Sequence, residues 1–220
     1  HAIPAMKGML VTTSSSLSIT QCCALQNRTI ERNVMNRKTG VLSLTLLAAA
    51  AIGYAQAPSL SVSGFDVAVD ADGNIKLPDL PFRTEWIQLG SWTVNGEDGA
   101  EGMHIVYTQP GVAEAYQQTG SFPDGAVLVK ELRGAETEDL TTGRVSYAGD
   151  LQGWFVMVKD GSERYSGNPL WGDGWGWGFF EASAPQTLVT EDYQSECISC
   201  HVPAQDTDWI YTRGYPALNE

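Results

Sequence analysis

AVLVKEL at residues 126–132 and GWFVMV at residues 153–158 decide the fold. Both runs are short and dense in Val, Leu, Phe and Trp. Asp124-Gly125 precedes the first and Asp160-Gly161 follows the second. Strand-forming residues that stop at Asp-Gly pairs read as strands ending in turns. Working outward, residues 85–92 (EWIQLGSW), 102–107 (GMHIVY), 143–147 (GRVSY) and 175–181 (WGWGFFE) repeat the pattern. Pro110-Gly111 marks a turn, and residues 112–118 suit a short helix that stops at Gly120. The segment from about Glu191 reads as partly helical. The expectation is about five to seven short strands with two or three short helices, an α+β chain built mainly on an antiparallel sheet.

The chain has 220 residues, enough for one ordinary domain and a tail. Its charge is unevenly spread. Residues 1–57 hold Lys7, Arg28, Arg32, Arg37 and Lys38 against Glu31, a net of +4; the formal total of −13 leaves −17 for the rest. So acidic a domain excludes nucleic acid as a partner, because phosphate contacts need clustered Lys and Arg.

The basic front end has its own reading. Met35-Asn36-Arg37-Lys38 is a short positive region, and residues 41–54 (VLSLTLLAAAAIGY) are apolar. Ala55-Gln56-Ala57 then supplies a small-x-small cleavage site. Residues 35–57 are therefore expected to be a secretory signal peptide, too short in its apolar part to span a membrane. Residues 1–34 read as an upstream extension outside the mature protein, and Cys22 and Cys23 leave with it. Residues 58–81, rich in Asp, Gly and Pro, read as a flexible lead-in with one short strand. Residues 82–220 form the expected functional domain. The chain is expected to be periplasmic or secreted, with no membrane span after cleavage.

Cys197-Ile198-Ser199-Cys200-His201 is CxxCH. Two thiols at this spacing can add across both vinyl groups of one haem, and the adjacent His then reaches the iron. The alternatives are a CxxC disulfide, a redox dithiol and half of a zinc site. A redox dithiol is read beside a βαβ pattern, which is missing here, and zinc usually asks for four ligands. One covalent c-type haem is therefore expected, on Cys197 and Cys200, with His201 as iron ligand. Only 19 residues follow His201 and none is Met, which argues against an electron carrier with a downstream axial Met. Met103 and Met157 fall in predicted strands, where Met is more often core than ligand.

A C-terminal CxxCH on a mainly β domain resembles the cytochrome P-460 family. The segments that carry the likeness are 107–125 (YTQPGVAEAYQQTGSFPDG), 126–132, 153–160 (GWFVMVKD), the aromatic run at 175–180 and 197–218 (CISCHVPAQDTDWIYTRGYPAL). The resemblance covers roughly residues 82–219. It implies that Lys130, in the DG-x-V-x-VKEL stretch at 124–132, is cross-linked to a meso carbon of the haem. An amine on a strand facing the porphyrin edge could be held within reach of one carbon, and the bond would perturb the macrocycle's electronics. By pattern alone, Lys130 is an ordinary strand lysine pointing to water.

The resemblance also frames the distal side. His104 falls where a distal-pocket arginine occurs, and by composition it could equally be a strand residue. Its imidazole is suited to proton transfer near neutral pH. Phe155 occupies the place where hydroxylamine-oxidising members carry a distal glutamate. Phe cannot relay protons; it would cap an apolar pocket, as in the cytochrome c′-beta relatives that bind nitric oxide. Glu131 and Asp160 are alternative carboxylates with no assigned place. The first expected function is an enzyme that oxidises hydroxylamine, with nitric oxide as a further reactant, to nitrous oxide. His104 would be the distal base and a soluble cytochrome would take the electrons. The second is a nitric oxide-binding or detoxifying protein with little turnover. The resemblance also implies a homodimer.

Overall fold

A computed structural model describes residues 63–219. The expected signal peptide, the expected upstream extension and the first residues of the lead-in lie outside this range. Six strands form one antiparallel sheet in the order β1-β2-β3-β4-β6-β5. They are β1 (Ile87–Gly96), β2 (Gly99–Thr108), β3 (Val127–Leu140), β4 (Gly143–Lys159), β5 (Trp171–Gly172) and β6 (Trp175–Glu181). Two short helices, α1 (Gly64–Ala68) and α2 (Phe82–Glu85), precede the sheet, and α3 (Val112–Thr119) links β2 to β3. Helices α4 (Tyr193–Glu196) and α5 (Ile198–His201) follow it, and 3-10 turns over Val202–Thr207, Thr212–Gly214 and Pro216–Leu218 close the chain. The α+β, mainly antiparallel expectation holds.

The apolar runs are nearly continuous because both faces of the central strands are covered. Successive side chains point to opposite faces. Val127, Val129, Trp154, Val156 and Val158 enter one core with Ala68, Val69, Ile75 and Phe82. Leu128 and Met157 enter the other with Val106, Trp175, Trp177, Tyr193 and Cys197. The C-terminal segment thus covers one face, and the N-terminal segment the other.

Two expectations change. The lead-in is packed against the sheet where it is described. Ala68 and Ile75 are buried, and Val69 pairs with Ile75 in an isolated bridge. Its scattered apolar residues are what the second face of the sheet needs as cover. Residues 143–147 and 153–158 were read as two strands and form one, β4. Beyond the register shifts near Arg133, residues 135–140 and 143–148 pair only with each other, as a ribbon leaving the sheet. Bulges of this kind re-aim a strand without ending it.

Candidate functional site

The CxxCH lies on two short consecutive helical segments. Asp192 caps α4, its Oδ1 accepting from the Gln194 N–H at 3.0 Å. Cys197 N–H donates to the Tyr193 carbonyl at 2.9 Å, and Cys200 N–H to the Cys197 carbonyl at 3.2 Å. Helical spacing of three and four brings Cys197, Cys200 and His201 to one side. That side faces a cavity of about 80 Å³ lined by all three.

The opposite wall comes from the sheet. Lys130 pairs with Phe155, and Phe155 with Phe179, so the three share a face. Lys130 and Phe155 line the cavity with Trp92, Trp177 and Tyr211. The Lys130 Nζ lies 4.7 Å from the centre of the Phe155 ring. The Phe155 and Phe179 rings are themselves 4.7 Å apart. Five residues singled out in the sequence, Lys130, Phe155, Cys197, Cys200 and His201, therefore meet at one cavity.

His201 is held in a definite tautomer. Its Nδ1 lies 2.6 Å from the Trp209 carbonyl. A carbonyl can only accept, so Nδ1 carries the proton and Nε2 keeps its lone pair. This is how an imidazole metal ligand is held. Trp177 meets the ring edge-on at 4.8 Å. Burial, with the Lys130 charge adding to it and the Trp209 bond opposing, brings the imidazole down to about 4, so it is neutral. Burial, reinforced by Glu196, raises the Cys197 thiol to about 12.

Cys197 is a free thiol, so it does not join to Cys200 and the CxxC disulfide alternative falls. Among the described residues no three His, Cys, Asp or Glu side chains form a group that could hold a bare ion. The donor set suits a haem instead: an imidazole with Nε2 available, two sulfurs at thioether spacing, and largely apolar walls.

His104 departs from its expected place. It shares a sheet face with Lys130, pairing with Leu132 and Trp92, but is not among the cavity-lining residues. Its ring meets Trp92 edge-on at 5.6 Å, and its buried Nδ1 has no hydrogen-bond partner. Burial, then the Lys130 charge, lowers it to about 3, leaving a weak base. Glu131 is on the opposite face, 1% exposed, paired with Arg83 at 2.6 Å and with Arg133. Asp160 is tied to Arg164 at 2.8 Å. Neither carboxylate lines the cavity.

The sequence reading missed Glu196 and Tyr211 and gave Met157 to the core; all three line the cavity. Glu196 carried a signal: it is four residues before Cys200. Met157 carried one too, since Phe155 and Met157 alternate onto the same face. Tyr211 carried none, since the chain reverses before reaching it.

No curated protein matches the chain. Among the described residues no helix is long and apolar enough to cross a membrane. A family model described as Cytochrome P460 matches residues 82–212, which take in the sheet, the Lys130 strand, the CxxCH and the carbonyl that holds His201. With that match over more than half of its length, this chain belongs to the cytochrome P460 family of haem-binding cytochromes.

Proposed function

We propose that this is a periplasmic mono-haem c-type cytochrome that oxidises hydroxylamine to nitrous oxide at a haem cross-linked to Lys130. The observation that carries the reading is that Lys130 reaches the same cavity as Cys197, Cys200 and His201. Cys197 and Cys200 would hold the haem through thioethers, and His201 Nε2 would face its iron. When bound, the haem supplies a redox-active iron that takes electrons from a small nitrogen compound. A soluble cytochrome accepts those electrons, and water is the second product. The chain's own part is to hold and to exclude. Phe155 and Phe179 wall off water on the Lys130 side, and the Trp209 carbonyl keeps the His201 lone pair in place. With His104 outside the cavity and neutral, Glu196 is the carboxylate best placed to take protons.

The test is to express the full chain with export and haem attachment, then digest it and weigh the haem peptide. The expected result is one adduct joining the Lys130 peptide to the CISCH peptide, a Soret band far to the red of an ordinary c-type haem, and loss of both in Lys130→Arg. An ordinary high-spin spectrum with no cross-link would overturn this reading. The close, tilted Phe155–Phe179 pair favours the second one, a nitric oxide-binding protein with an apolar pocket and little turnover.

A further inference from the structure

The carbonyl that holds His201 belongs to an unusual corner. Asp208 and Trp209 are both left-handed, with φ of 59° and 66°. Side chains other than Gly, Asn and Asp rarely adopt this region, and a Trp there needs the surroundings to hold it.

The surroundings do so at Asp208. Its Oδ1 accepts from Lys159 Nζ at 2.5 Å. Its Oδ2 accepts from the Phe122 N–H at 3.1 Å. Its backbone carbonyl accepts from Trp175 Nε1 at 3.0 Å. Lys159 ends β4, Trp175 begins β6, and Phe122 belongs to the loop before β3, so one residue is tied to three parts of the frame. Lys159 is itself confined: its ammonium lies 4.9 Å from the Trp175 ring centre, and both members of the ion pair are 14% exposed. Charge-assisted bonds at this exposure are stronger and more directional than surface pairs. The next residue presents its carbonyl to His201 Nδ1 at 2.6 Å.

Resting on the reading of His201 as iron ligand, we infer that Asp208 is a positioning residue for it. The Lys159–Asp208 clamp holds the left-handed corner, the corner aims the Trp209 carbonyl, and that hydrogen bond sets the donor strength of the imidazole. A stronger Nδ1–H···O bond makes Nε2 more basic and favours the oxidised metal. The sheet thus reaches the metal ligand through a carboxylate that neither bonds His201 nor is among the cavity-lining residues.

The experiment compares the haem-loaded full chain with Asp208→Asn and Lys159→Met, and with Asp160→Asn as control. Asn tolerates the left-handed backbone, so Asp208→Asn removes the charge without forcing a new fold. Asp160 follows Lys159 on the chain but pairs with Arg164 and not with Asp208, so its variant removes a nearby carboxylate while leaving both members of the clamp in place. The readouts are the ferrous iron–histidine stretching band and the midpoint potential. In Asp208→Asn and Lys159→Met the band should move to lower frequency and the potential should rise; in Asp160→Asn both should stay. An unmoved band in a folded Asp208→Asn, or an equal shift in Asp160→Asn, overturns the inference. If the wild type shows no iron–histidine band, it is the ligand reading that fails. The clamp is then judged on the slowly exchanging His201 Nδ1–H proton by NMR. Loss of protection in Asp208→Asn supports the clamp, and full protection overturns it.

Discussion

Lys130 and Phe155 are register partners on neighbouring strands, so a single substitution at either changes what the cavity presents to a ligand. Phe155→Glu would put a carboxylate beside the Lys130 ammonium, where an aromatic ring now lies 4.7 Å away. If a missing proton relay limits the enzyme, hydroxylamine-dependent reduction of an added acceptor should rise about 10- to 100-fold. No gain in a haem-loaded variant would remove that account. His104 gives a second prediction at this scale. Its imidazole titrates near the usual 6.5 when unfolded but only near 3 when folded, because burial disfavours the charge. Between these values the unfolded chain binds a proton that the folded chain refuses. Stability therefore falls as pH drops from about 6.5 toward 3, by an amount of order a few kcal/mol. His104→Leu should flatten the fall in urea midpoints over this window. An equally steep fall in the variant would place the titration elsewhere. CxxCH was legible in the string, and the VKEL lysine was singled out by the resemblance. The pairing of Lys130 with Phe155 was not legible, because the register follows from how two distant strands align.

The C-terminal segment must lie flat on β1 for Trp209 and Tyr211 to reach His201. Gly90 makes that approach: a Cβ there would come 2.2 Å from the Gly214 carbonyl oxygen. Gly90→Ala should cost about 1–3 kcal/mol by overpacking and should loosen haem retention. A thermal melt with haem absorbance as a second probe checks both, and an unchanged Tm would mean that the segment can shift freely. The ribbon formed by the far ends of β3 and β4 should behave in the opposite way. Leu140 and Tyr147 are 50% and 41% exposed. Replacing residues 137–146 with Asn-Gly, a favoured tight turn, should change stability by under about 1 kcal/mol and leave the haem spectrum intact. Loss of the spectrum would show that the ribbon supports the pocket. Each strand run was readable from its side chains, but β4 reads as two because residues 148–152 (AGDLQ) lack the apolar pattern, a gap that ladder pairing alone can override.

At the scale of the whole molecule, acid should act at several sites in the same direction. Asp124 titrates below its ordinary value: burial pulls it upward, but hydrogen bonds from Arg164 and the Gly161 N–H outweigh that. A carboxylate with a lowered folded pKa stabilises the fold above about pH 4 and loses that contribution as pH falls through the folded value. With His104, this makes the domain acid-sensitive over a broad range. The amino-acid sequence by itself determined the sheet, the antiparallel class and the CxxCH, while Lys130 was singled out only by the family resemblance. The sheet, its class and the motif depend on period-2 patterns, turn residues and fixed short spacings that act within a few residues of each other. Only the tertiary structure decided that His104 stays outside the cavity, that Glu196 and Tyr211 line it, and that Asp208 holds the carbonyl facing His201. These depend on how distant segments pack and reverse, and on two left-handed residues whose conformation no local preference supplies; bonds from β4, β6 and the loop before β3 impose it.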